Sequence, residues 1–226
     1  IHQLYKGVVP ELAARNHLLH IDKITQNVLK NQNLTLDDID GVAATAGPGL
    51  VGGLLVGLSF AKTLAQAKKI PFIAVNHLEG HALTVRLTDN IDFPYLLLLI
   101  SGGHSSFYYM KNLNQYIYLG GTLDDAVGEA FDKIGKVIGL KFPGGPELEK
   151  KALRGNENAF MFPKPLVDKV ASNLDLSFSG LKSHIINFIN SSSKNLSSNN
   201  YVEDIAASFQ KTISEILNYK LEKAIN

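Results

Sequence analysis

The stretch Val75-Asn76-His77-Leu78-Glu79-Gly80-His81 sets two imidazoles four residues apart, directly after the strand-like run Ile70–Val75. On a helix, positions i and i+4 share one face. Two neutral imidazoles there can ligate one divalent metal ion. The peptidase motif His-Glu-x-x-His has the same spacing, but its general-base glutamate directly follows the first histidine. Here the glutamate is Glu79. At roughly 100° per residue it lies about 200° round the helix from His77. The spacing therefore fits a metal clamp and opposes peptidase chemistry. Spacing alone leaves open a pair of helix histidines that bind nothing.

Other places carry chemistry of a different kind. The turn Ser101-Gly102-Gly103-His104 offers glycine amides and hydroxyls that could meet a nucleotide phosphate. An ordinary hairpin would use the same residues. Gly47-Pro48-Gly49 and Gly52-Gly53 could open an anion site, but they match neither the P-loop nor the dinucleotide glycine order. Close packing through glycine is their simpler role. A helix expected over 124–139 would put Asp125, Glu129 and Asp132 on one stripe, within about 60° of each other. That stripe is a solvated face or the wall of a cleft. Phe142-Pro143-Gly144-Gly145-Pro146 reads as a rigid turn, able to press its backbone on a flat ligand. Ser177-Phe178-Ser179-Gly180-Leu181-Lys182 reads as a polar turn before a helix, with Lys182 a candidate anion contact and an N-cap the alternative. His104 and His184 have no partner at metal-ligand spacing. The lysines are scattered, so they carry no case for RNA binding.

The elements that must position these residues follow an α/β grammar. A helix opens at Pro10, with Leu18, Ile21, Ile24 and Val28 at helical spacing. Thr35–Asp38 reads as a capped turn. A buried strand is expected over Gly41–Ala46, a Gly-rich helix over Leu50–Ala67, and a strand over Phe72–Val75 before the histidine helix. After Phe93-Pro94, the run Tyr95–Ile100 predicts a central strand, with Ser105–Met110 returning as a hairpin and Tyr116–Leu119 as a third strand. Asn190–Asn200 is a polar, low-complexity loop. Tyr201–Asn226 predicts an amphipathic helix with Ile205, Phe209, Ile213, Ile216 and Leu217 on one face. Two lobes are expected, 1–92 and 93–226.

Composition narrows the class. With 226 residues, 45% apolar content and a net charge of +1, no global field marks a nucleic-acid or membrane binder. The lack of cysteine removes thiolate chemistry and disulfides, and suits a reducing compartment. The uncharged run Gly41–Ala61 is broken by glycines and Pro48, so no membrane span is expected. The chain opens at Ile1 and its methionines are Met110 and Met161, so a removed start is expected. Leu221–Asn226 still reads as helix, so the far end also reads as cut.

Seven strings together resemble one family, the tRNA threonylcarbamoyladenosine transferases, called TsaD in bacteria and once described as glycoproteases. They are Gly7-Val8-Val9-Pro10-Glu11-Leu12-Ala13-Ala14-Arg15, Thr45-Ala46-Gly47-Pro48-Gly49-Leu50, His77-Leu78-Glu79-Gly80-His81 and Ser101-Gly102-Gly103-His104, followed by Gly128-Glu129-Ala130-Phe131-Asp132-Lys133, Pro143-Gly144-Gly145-Pro146 and Ser177-Phe178-Ser179-Gly180-Leu181-Lys182. They stand in the family's order and cover nearly the whole chain. The resemblance implies an actin-like, two-lobed ATPase fold of the sugar-kinase and chaperone superfamily. It implies transfer of a threonylcarbamoyl group from its adenylate to the exocyclic amine of the adenosine beside the anticodon, in tRNAs reading codons that begin with A.

By that resemblance His77 and His81 would be two ligands of an iron-type metal, with zinc the alternative. Leu99, Ile100, Ser101, Gly102 and Gly103 would bind substrate, and Asp132 and Gly145 would contact its nucleotide part. The metal would orient the substrate or polarise its carbonyl. The nucleophile comes from the tRNA, so no nucleophilic side chain is needed. Implied partners are tRNA, threonylcarbamoyl-adenylate, a paralogous actin-like subunit and a small ATPase of the same pathway, with no membrane. The expected location is the cytoplasm, with an organelle the alternative. The family's N-terminal phosphate turn would precede Ile1. A substrate asparagine and a further aspartate ligand would lie beyond Asn226, so chain 1–226 alone is expected to bind metal weakly and not to modify tRNA. The rival functions are a metallopeptidase, from the older family label, and a non-catalytic paralogous scaffold.

Overall fold

The computed structural model describes residues 5, 7–167, 173–192 and 199–226. The chain divides into two compact units, Ile1–Ile91 and Asp92–Asn226.

In the first unit, α1 (Pro10–Asn31) begins with proline, whose fixed φ and missing N–H suit a helix start. A short 3-10 turn, Leu36–Asp38, is capped by Thr35, whose amide donates to Asp38 Oδ2 at 2.8 Å. Then come β1 (Val42–Gly47), α2 (Val51–Lys68), β2 (Phe72–Asn76) and α3 (His77–Thr88). β1 and β2 pair in parallel from Val42↔Phe72 to Gly47↔Asn76, and α2 makes the crossover. A Cβ at Gly52 would stand 3.4 Å from the Ala14 Cβ, so glycine there lets α2 lie close to α1. α2 ends at Lys69, which adopts the left-handed conformation at φ 57°. The burial expected for β1 does not hold. Its residues are half-buried or exposed and none is buried, because the described sheet of this unit is only two strands wide. On α1, Leu18, Ile24 and Val28 are exposed as well.

The second unit opens with β3 (Tyr95–Ile100), β4 (Ser105–Asn112) and β5 (Gln115–Gly121), antiparallel in that order. The apolar run of β3 predicts a central position, but β3 borders the described sheet. An apolar run reports burial on two faces, not which neighbours pair with it. Four helices follow: α4 (Val127–Val137), α5 (Gly144–Ala152), α6 (Ser179–Ser191) and α7 (Asn199–Ile225). α5 packs on α7, and α4 packs on α5 and α6. Phe107, Ile134, Leu148, Phe178, Leu181 and Phe209 are fully buried in one core. Each such side chain contributes about 1.5–3 kcal/mol by leaving water. The apolar face expected for α7 is the one it buries, with Ile205, Phe209, Ile213 and Ile216 inside and Leu217 at the margin.

Three expectations change here. The helix expected over 124–139 begins only at Val127, because Ala126 is extended at φ −71° and ψ 160°. Asp125 therefore does not share a helical stripe with Glu129 and Asp132. Pro143-Gly144-Gly145-Pro146 is not a free turn. It opens α5, with Pro143 as N-cap. Of the loop expected over 190–200, residues 193–198 lie outside the described set, while α6 reaches Ser191 and α7 starts at Asn199.

Candidate functional site

The histidine pair is built locally. β2 ends on Asn76, whose side-chain Oδ1 accepts from the amides of Leu78 at 2.9 Å and Glu79 at 3.2 Å. That N-cap satisfies two of the donors every helix start leaves unpaired. It makes His77 the first residue of α3 and puts His81 one turn on. The rings meet edge to face, with centroids 4.5 Å apart and planes at 71°. His77 is half-buried and His81 exposed. Imidazole nitrogens suit iron or zinc, so the pair fits two ligands of one such ion. Among the described residues no third His, Cys, Asp or Glu completes a metal-binding group. A full coordination shell would therefore draw on donors from outside the pair.

The turn after β3 is built by tertiary contacts. Leu99 is buried, Ile100 is exposed, and they pair with Ser106 and Ser105. The Ser101 amide donates to the His104 carbonyl at 2.8 Å. The Ser101 hydroxyl oxygen accepts from the His104 amide at 3.0 Å and the Gly103 amide at 3.4 Å. A Cβ at Gly102 or Gly103 would meet nothing within 4 Å, so the outer side of the turn is open. Its inner side is pressed against α4. A Cβ at Gly128 would stand 2.8 Å from both the Gly102 Cα and the Ser101 carbonyl oxygen. The Val127 amide donates to Ser105 Oγ at 2.9 Å, and the Gly128 amide to the Ser101 carbonyl at 3.3 Å.

Asp132 lies one turn beyond Gly128, and Gly135 nearly one more, so the three share a face of α4. Asp132 Oδ1 accepts from the Gly144 amide at 2.6 Å and, weakly, from the Gly145 amide at 3.4 Å. A Cβ at Gly135 would stand 2.9 Å from the Gly144 Cα. One face of α4 therefore gathers the Leu99–Gly103 turn, Asp132 and Gly145. The role of Asp132 seen in the structure is to cap the start of α5 through one oxygen.

Two acids have partners that no local sequence pattern announces, because those partners lie more than fifty residues away. Asp124 accepts from the Phe178 amide at 2.8 Å, the Ser179 amide at 3.2 Å, the Ser177 hydroxyl at 2.6 Å and the Ser179 hydroxyl at 2.7 Å. Burial raises its pKa, but these four bonds outweigh that and hold it at about 2, below the ordinary 3.8. The Ser177–Lys182 turn, a candidate anion site, thus already holds an anion from its own chain. Asp125 is buried between Lys133 Nζ at 2.5 Å and Lys182 Nζ at 2.7 Å. Burial raises its pKa too, and the two ammonium groups bring it below the usual range. Lys133 also reaches Glu129 at 2.8 Å. His184 is exposed, with its ring 6.2 Å from that of Phe162.

The first unit also has an open groove of 740 Å³ between α1 and α2, lined by Asn16, His17, His20, Ile24, Gly53 and Val56 among others. Among the described residues no helix is long and apolar enough to cross a membrane.

A family profile described as tRNA N6-adenosine threonylcarbamoyltransferase matches residues 1–226. A protein of that name from Rickettsia massiliae is 55% identical over 226 residues, covering 99% of this chain and 64% of the relative. The one from Rickettsia prowazekii is 54% identical, covering 99% of this chain and 57% of the relative. The chain thus spans less than two thirds of the length of these curated relatives.

Proposed function

Since the chain belongs to the tRNA N6-adenosine threonylcarbamoyltransferase family, we propose that it carries part of the active site for transfer of threonylcarbamoyl from its adenylate to a tRNA adenosine. The target is the adenosine beside the anticodon in tRNAs that read codons beginning with A. The observation that carries this is the convergence of the Leu99–Gly103 turn, Asp132 and Gly145 on one face of α4. The exocyclic amine attacks the carbamoyl carbonyl carbon, the bond to the adenylate phosphate breaks, AMP leaves, and the amine loses a proton.

This chain's residues bind and orient. The open side of the Ser101–Gly103 turn receives the adenylate. Asp132 holds α5 in place, so that the Gly145 backbone meets the nucleotide. His77 and His81 would hold an iron-type ion, with zinc the alternative. When bound, that ion supplies Lewis-acid polarisation of a carbonyl. Glu79 does not follow His77 directly, so no observation favours a metallopeptidase.

The division into two units supports an actin-like, two-lobed arrangement. The exposed Leu18, Ile24 and Val28 beside the α1/α2 groove support a helical protein partner, namely a paralogous actin-like subunit. A small ATPase of the pathway is the further partner, and the cytoplasm is the proposed location. The test is the full-length protein with its partners, threonylcarbamoyl-adenylate and unmodified tRNA. Modified adenosine is expected in digests of the wild type and not of His77→Ala. Wild-type enzyme with no transfer would overturn the proposal.

A further inference from the structure

We infer that Asp124 and Asp125 are positioning residues of the adenylate site, tying the entrance of α4 to the first turn of α6. This rests on the assignment of that site to the Leu99–Gly103 turn, Asp132 and Gly145. Both acids lie in the short connector between β5 and α4. Thr122, at its start, donates its amide to the Ser105 carbonyl at 2.8 Å, and its hydroxyl to the Asp125 carbonyl at 2.5 Å. At its end the Val127 and Gly128 amides hold Ser105 and Ser101. The connector is therefore the mount of the substrate turn.

What fixes this mount is α6, more than fifty residues away in sequence. Asp124 takes two amides and two hydroxyls at the α6 N-terminus, where the exposed N–H groups favour an anion. Asp125 takes Lys182 from that same first turn, and Lys133 from α4 itself. Adjacent carboxylates thus grip one helix end by two different chemistries. Losing the Asp125 charge would take the carboxylate from Lys182 and leave Lys133 paired with Glu129 alone. Losing the Asp124 charge would leave the α6 amides a weaker acceptor. Either change frees the connector, and with it the angle at which α4 presents Gly128 and Asp132.

The test compares Asp124→Asn, Asp125→Asn, Lys182→Met and the Asp125→Asn/Lys182→Met double variant in the full-length enzyme. A displaced site gives a rise in KM for threonylcarbamoyl-adenylate of about tenfold or more, with KM for tRNA unchanged. Asp125→Asn and Lys182→Met are expected to be non-additive, because each removes the same bond. Asp125→Glu is expected to recover part of the loss. If Asp124→Asn does not fold, Lys182→Met carries the same expectation. A fall in melting temperature with unchanged KM for the adenylate would overturn the inference and leave a purely structural brace. Asp132→Asn separates the premise from the inference. If Asp132→Asn leaves adenylate affinity unchanged, the site assignment fails, and any positioning of it fails too. If Asp132→Asn weakens binding while the brace variants do not, only the positioning role fails.

Discussion

The histidine pair on α3 and the Ser101–His104 turn before β4 belong to units that are held together differently. In the first unit the buried apolar residues among those described are Ala61, Ala65 and Ala82. His77 and His81 are placed by helix spacing and by one Asn76 cap. In the second unit whole aromatic side chains are buried, including Phe107, Phe178 and Phe209. There the turn is placed by α4, which is in turn placed by α5 and α6. A site built from local geometry depends on its own few residues. A site built from tertiary contacts inherits the stability of everything beneath it.

Substitutions can break or sharpen that contrast. The largest effect is expected from Phe209→Ala. Phe209 is fully buried, with its ring 4.9 Å from that of Phe131, the neighbour of Asp132. A loss of about 3–5 kcal/mol is expected, read as a lower urea midpoint of the second unit together with weaker adenylate binding. If adenylate binding survived that loss, the turn would not depend on the core.

Gly128→Ala is next. Its new Cβ would meet backbone atoms at 2.8 Å, and backbone cannot swing aside as a side-chain tip can. About 1–3 kcal/mol is expected, with adenylate affinity lowered in calorimetric titration. Asn76→Ala should cost about 1 kcal/mol from the lost cap. It should weaken metal uptake by His77 and His81 in a zinc or iron titration and leave adenylate affinity as it was. Loss of adenylate affinity instead would blur the contrast between the two sites.

The smallest expected effect is a pH response. The Asp124 pKa lies below its ordinary value, so its ionised form binds the folded state better. Its stabilisation is complete above the ordinary 3.8 and fades as pH falls towards about 2. A urea series across that window should show a shallower loss for Asp124→Asn than for the wild type.

Sequence alone shows what is local and misses what is distant. The i, i+4 histidines, the strand–helix alternation and the buried face of α7 are all periodic signals, and the described elements follow them. Asp125 reads as part of a helical stripe because its spacing from Glu129 is helical. Its actual partner Lys182 lies 57 positions away, and no local pattern can announce that bond. The Ser177–Ser179 turn was legible as an anion site for the same reason its occupant was not. The donors are adjacent in sequence, whereas the acceptor Asp124 lies on another element. Asp132 is a comparable case. The family resemblance implies a nucleotide contact there, and the fold shows its carboxylate capping α5.

The most direct measurement is transfer of labelled threonylcarbamoyl from its adenylate to unmodified tRNA by the full-length protein, wild type beside Asp132→Asn. Wild-type turnover is expected, with kcat/KM in the variant lower by at least about tenfold, as a displaced binding site requires. Equal turnover by the two proteins would contradict the assignment of the α4 face as the substrate site.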